Sequence, residues 1–87
     1  MEYNKDYTTK TADEWFSLKK WSGFLMTIPL GRTVSKTCES ARDILNIRAT
    51  AGYLASKERD CGRRFIVSTD QDNELVMYVT ALKKTDA

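Results

Sequence analysis

The chain has 87 residues, 41% of them hydrophobic, 10% aromatic and 30% charged, with a net charge of +2. That length sustains one hydrophobic core, and that composition excludes a disordered or fibrous chain. With no histidine and only two cysteines, it also lacks the residues for a Ser/His or Cys/His catalytic pair or a tetrahedral zinc site.

Residues 1–10 are polar and without period, and read as a flexible N-terminal arm ahead of a single domain over residues 11–84 and a flexible tail at 85–87. Thr11-Ala-Asp-Glu14 has the spacing of a capping box, which predicts a helix starting there and ending near Gly23, with Trp15, Leu18 and Trp21 on one face. From Phe24 to Leu30 the apolar residues alternate, predicting a strand with Pro29 at the end of a sheet edge and Gly31 opening the next turn. Val34, Cys38, Ala41 and Leu45 have helical spacing, and Ile47, Ala51, Leu54 and Cys61 form a second stripe out of phase with the first. Two helices, about 35–45 and 47–60 with Asn46 at the junction, fit this break, and Gly62 suits the left-handed position after the second. Arg63–Thr69 and Leu75–Leu82 flank the polar turn Asp70-Gln-Asp-Asn-Glu74 and predict a C-terminal β-hairpin.

The fold class expected is therefore α+β, ordered helix, strand, helix, helix, strand, strand, with a three-stranded antiparallel sheet. That order resembles the winged helix-turn-helix family over residues 11–83. In that family the third helix enters the DNA major groove, and the hairpin turn, the wing, lies against the flanking backbone. The segment Ile47-Arg-Ala-Thr-Ala-Gly-Tyr-Leu-Ala-Ser-Lys-Glu-Arg59, followed by Gly62-Arg-Arg-Phe-Ile-Val67, is also similar to small phage-encoded proteins in which a helix leads through Gly-Arg-Arg/Lys-Phe into a hairpin.

Charge is uneven along the chain. Residues 33–69 hold seven Lys or Arg against four Asp or Glu, whereas residues 70–87 hold two against four. The nucleic-acid-contacting residues this predicts are Arg48, Lys57, Arg59, Arg63 and Arg64. Arg48 and Arg59 bracket Gly52 and Ala55 on one strip of the third helix, where small residues permit close approach and arginine can contact phosphate or guanine bidentately. Lys57 lies on the opposite flank, and Arg63 and Arg64 begin the hairpin. Each feature also has a structural reading: surface arginines paired with acids such as Asp43, small residues packed by another element, and arginines that guard a strand. The acidic turn argues against a DNA-touching wing, since phosphate repels it.

Two functions follow. One is a small DNA-binding protein of transcription regulation that contacts duplex DNA through the third helix and the start of the hairpin. The other is a phage-encoded inhibitor that binds a host protein complex such as a polymerase, nuclease or defence assembly. Neither requires catalytic residues, a cofactor or a metal, and the scattered glycines form no phosphate cradle. Cys38 and Cys61 read as reduced thiols. Residues 1–6 lack the character of a signal peptide, and no stretch approaches the ~20 apolar residues that span a bilayer, so a cytoplasmic protein with no membrane partner is expected, in the host cell if phage-encoded. Three short helices cannot cover both faces of the sheet, which predicts a homodimer through it.

Overall fold

Thr11 and Glu14 form the expected capping box. The Thr11 hydroxyl accepts from the Glu14 amide at 3.2 Å, and a Glu14 carboxylate oxygen accepts from the Thr11 amide at 3.1 Å. The computed structural model, which describes residues 7–56 and 61–84, ends this helix, α1 (Ala12–Ser17), well short of Gly23. The stop is Lys19, in the left-handed region at φ 57°. There the Lys20 amide donates to the Trp15 carbonyl and the Lys19 amide to the Phe16 carbonyl, both at 3.0 Å, completing a Schellman cap with lysine where glycine is usual. The Lys19 ammonium reaches the carboxylates of Glu39 and Asp43, which raise its pKa, with the Glu39 hydrogen bond the largest cause.

The strand expected over 24–30 is instead a helix, α2 (Trp21–Thr27). Phe24, Leu25 and Ile28 are completely buried, which is a helical i, i+1, i+4 spacing, whereas Leu30 of the alternating set is 49% exposed. A short apolar run satisfies both periods, and packing decides between them. Gly23 sets how closely α2 meets α1. A Cβ built there would stand 2.8 Å from Cγ and Cε2 of Trp15, so α1 lies against α2 only because that position has no side chain. Pro29 accordingly follows the Ile28 cap of α2 rather than ending a strand, while Gly31, at φ 82°, makes the turn expected of it.

The helix expected from Ser35 is a strand at its start, β1 (Thr33–Thr37), followed by one helix, α3 (Ala41–Ala55), continuous through Asn46. The phase break at Asn46 came from grouping Val34 and Leu45 into one stripe. Val34 points from β1 into the core and Leu45 is 65% exposed, while the buried stripe of α3 runs Ile44, Ile47, Ala51 and Leu54 in a single phase. α3 ends earlier than the expected stop near Asp60: the last helical residue is Ala55, and Ser56 is already extended at φ −70° and ψ 161°, while residues 57–60 lie outside the described residues. β2 (Arg63–Thr69) and β3 (Val76–Lys83) form the expected hairpin, entered through Gly62 at φ 76°.

The domain is thus α+β, with three helices and a three-stranded antiparallel sheet ordered β1-β3-β2. The helix pair precedes β1 instead of following it, so the order is helix, helix, strand, helix, strand, strand. Helices cover one sheet face, where Met77, Val79 and Ala81 of β3 are completely buried against α2 and α3. Trp15, Phe16 and Trp21 pack on the rim of this core. Tyr7 and Lys10 lie against Trp15, whose indole donates to the Tyr7 carbonyl at 2.9 Å; residues 1–6 of the expected arm and 85–87 of the tail are outside the described residues. Both cysteines are free thiols, Cys38 buried with its pKa pushed up by that burial. Among the described residues no helix is long and apolar enough to cross a membrane.

Gly23→Ala is expected to lower stability. Overpacking against Trp15 costs about 1–3 kcal/mol, and the better helix propensity of alanine returns about 1, leaving a net loss of about 1 kcal/mol in urea denaturation. A stabilised variant would show that the indole moves aside freely.

Candidate functional site

Of the five basic residues singled out from the sequence, the three described ones, Arg48, Arg63 and Arg64, do not converge. Arg48 is exposed on α3. Arg63 is turned inward: its Nη1 donates to the carbonyl oxygens of Leu25 and Ile28, the unpaired acceptors at the end of α2, and burial pushes its pKa down. Arg64, the next residue, points to the opposite face of the sheet, in register with Leu82. Lys57 and Arg59 lie outside the described residues. Arg48 and Arg64 therefore stand on opposite sides of the domain, since α3 covers one sheet face and Arg64 projects from the other.

The uncovered sheet face is built from the alternate residues of each strand. Thr33, Ser35 and Thr37 of β1 lie beside Val76, Tyr78, Thr80 and Leu82 of β3, with Arg64, Ile66 and Ser68 of β2 beyond. The Thr33 and Thr80 hydroxyls share a hydrogen bond of 2.6 Å across the strands, and Arg64 is the one ionisable strand residue here besides tyrosine. Ile66 is 51% exposed.

The hairpin tip is organised by one of its acids. Asp70 Oδ2 accepts from the amides of Asp72 and Asn73 at 3.0 and 3.2 Å, and Oδ1 accepts from the Tyr78 hydroxyl at 2.7 Å. Asn73 Oδ1 accepts from the Leu75 amide at 3.0 Å, so two side chains close the turn. Asp70 is structural, which leaves Asp72 and Glu74 as the free charges of the tip. Its carboxyl is held below the ordinary range by the Tyr78 hydrogen bond first and the turn amides after it, and the Tyr78 phenol is correspondingly raised.

The outward side of α3 has a different character. Opposite the buried stripe lie Leu45, Ala49 and Gly52, with Leu45 65% exposed and Tyr53 50% exposed. Arg42 lies near Tyr53 on one flank and Arg48 on the other, and neither makes an ion pair among the described residues. The acid expected to partner an arginine there, Asp43, is buried and faces Lys19 instead. This surface is legible in the sequence as the residues out of phase with Ile44, Ile47, Ala51 and Leu54, but the helical spacing from Val34 to Leu45 places Leu45 with the core.

A shallow open groove between residues 8–13 and the end of α2 includes Lys10, Asp13 and Met26, but its half-buried guanidinium, Arg63, is already bonded to backbone. Among the described residues no group of three or more His, Cys, Asp or Glu could hold a metal ion. No family model, curated protein or solved structure matches the chain.

Two predictions follow from these geometries. Arg63→Ala, which leaves the last carbonyls of α2 unpaired, is expected to cost about 1–3 kcal/mol in urea denaturation, whereas Arg64→Ala stays within about 0.5 kcal/mol of the parent. Stability is also expected to depend on pH through the Asp70–Tyr78 bond. Because the folded pKa of Asp70 is depressed, its contribution is complete above the ordinary value of about 3.9 and disappears as pH falls through the lower folded value. The raised phenol contributes below about pH 10 and loses its effect as pH rises through its folded value. Denaturation midpoints across this range should show both losses in the parent, whereas Tyr78→Phe should lose the alkaline one and keep only the smaller part of the acid one that the Asp72 and Asn73 amides cause.

Proposed function

We propose that the chain is a small non-catalytic protein that docks on another protein through the outward face of α3 and blocks that partner's activity. The observation that supports this most directly is Leu45, the fifth residue of α3 and 65% exposed, with Tyr53 on the same side and, on the flanks, two arginines that make no ion pair among the described residues. Leucine, tyrosine and arginine around small residues suit a protein contact, where a buried apolar centre is ringed by polar groups. A partner with an apolar groove and an acidic rim would complement this face. Small size, a net charge of only +2 and an acidic hairpin tip that could compete with nucleic acid for a basic groove suit an inhibitor of a host polymerase, nuclease or defence complex.

Duplex DNA is the weaker partner for this geometry. The helix expected to read it shares no face with Arg64, Arg63 is occupied by α2, and the acidic hairpin tip opposes phosphate. The winged-helix reading of the fold retains a helix backed by a β1-β3-β2 sheet and hairpin, but one helix, α3, stands where that family places a helix pair.

The test compares the parent with Leu45→Glu and Arg48→Glu in two assays: capture of a stoichiometric protein from the lysate of the expressing cell, and mobility shift of duplex DNA. Under the proposal a protein is captured by the parent, lost with Leu45→Glu at unchanged melting temperature, and weakened with Arg48→Glu. Duplex binding that falls about 10-fold or more between 50 and 200 mM salt and survives Leu45→Glu would replace the protein partner with DNA.

A further inference from the structure

The two edges of the sheet differ. β1 is five residues long, and its Lys36 is tied to Asp13 of α1. β2 is seven residues long, and among the described residues the outer side of its backbone receives only the Cys61 thiol, which donates to the Arg63 carbonyl at 4.0 Å and leaves that oxygen room for a second donor. The pairing with β3 decides which of its groups are free. The Lys84 amide donates to the Gly62 carbonyl at 3.0 Å, and the Asp70 amide to the Val76 carbonyl at 2.9 Å, so the even-numbered residues of β2 turn their backbone groups toward β3. The odd-numbered ones, Phe65, Val67 and Thr69 with Arg63, turn theirs to the open edge. A bare edge of this length is a template for another strand.

We propose that β2 pairs antiparallel with β2 of a second copy of this chain, about a two-fold axis through Ile66, joining two three-stranded sheets into one. The register is self-complementary. Phe65 falls opposite Val67 of the second copy and Arg63 opposite Thr69, and these are the residues whose N–H and C=O groups face outward to exchange bonds. Ile66, 51% exposed, meets its own copy on the axis. Arg64 falls opposite Ser68 and diagonal to Asp70, within reach of a long side chain. Asp70 presents its carboxylate on the same outer face, because it accepts from Tyr78 there at 2.7 Å. The dimer thus gains an Arg64–Asp70 pair at each end with no like charges opposed, whereas parallel pairing would set Arg64 against Arg64. The same strand used by both copies is what a closed two-fold dimer requires. This surface is separate from the outward face of α3, so either reading can fail without the other.

Sedimentation equilibrium and amide exchange, each from dilute protein to about 1 mM, test the proposal. The expected mass rises from 10.0 kDa toward a dimer. The amides of Phe65, Val67 and Thr69, which lack an internal partner, slow by about tenfold or more as it does. Ile66→Lys, which opposes two ammonium groups across the axis, is expected to be monomeric with an unchanged melting temperature, and Arg64→Glu to need about five times the protein concentration for the same dimer fraction. A monomer at every concentration overturns the proposal. So does a dimer in which those three amides exchange at the dilute rate, since its contact would lie on the outer sheet face or α3. A monomer that protects them only with an added extended peptide would assign the edge to a foreign strand.

Discussion

The structure depends on one constraint: a chain of 87 residues has apolar surface enough to cover a sheet on one side only. Phe24, Leu25, Ile28, Ile47, Leu54, Met77 and Val79 form that covered side, all fully buried. The other sheet face, the edge of β2 and the outward face of α3 remain in water.

Two basic residues tie the helices to the sheet. Lys19 takes a left-handed conformation that costs a non-glycine residue energy, and its ion pairs with Glu39 and Asp43 fasten the α1–α2 turn to the start of α3. Arg63 fastens the end of α2 to the start of β2 by donating to the Leu25 and Ile28 carbonyls. Both contacts are long in sequence, so each closes a loop that only the folded chain forms. The basic excess in the middle of the chain is thus partly structural, which reduces the charge left for a polyanionic partner.

What remains exposed is divided by chemistry. The α3 face offers apolar contact with cationic flanks, the outer sheet face is rich in threonine and serine, and the β2 edge offers backbone groups with a cation at one end and an anion at the other. The proposed protein partner on α3 and the proposed second copy on β2 would use different groups, and an inhibitor that presented two α3 faces from one dimer would gain from bivalency.

The sequence by itself determined those elements whose signals are local. The Thr11–Glu14 capping box, the Gly31 turn, the left-handed backbone of Gly62, though not its expected place at a helix end, and the hairpin with its closing turn rest on bonds or backbone preferences within a few residues, so neighbouring letters suffice. The α+β class followed from them. Tertiary structure decided the rest. The run Phe24–Leu30 fits a strand or a helix, and the helix is the one that buries Phe24, Leu25 and Ile28 together in the core. Lys19 stops α1 without any breaker residue, because its stabilising partners lie twenty and more positions away at Glu39 and Asp43. Leu45 looks apolar and therefore internal, yet the helix phase set by Ile44 and Ile47 turns it to solvent. Arg63 and Arg64 look alike in the sequence, and strand alternation sends one into the domain and the other out of it. Residue identity reports local preference, whereas which face a side chain occupies depends on what the rest of the chain places against it.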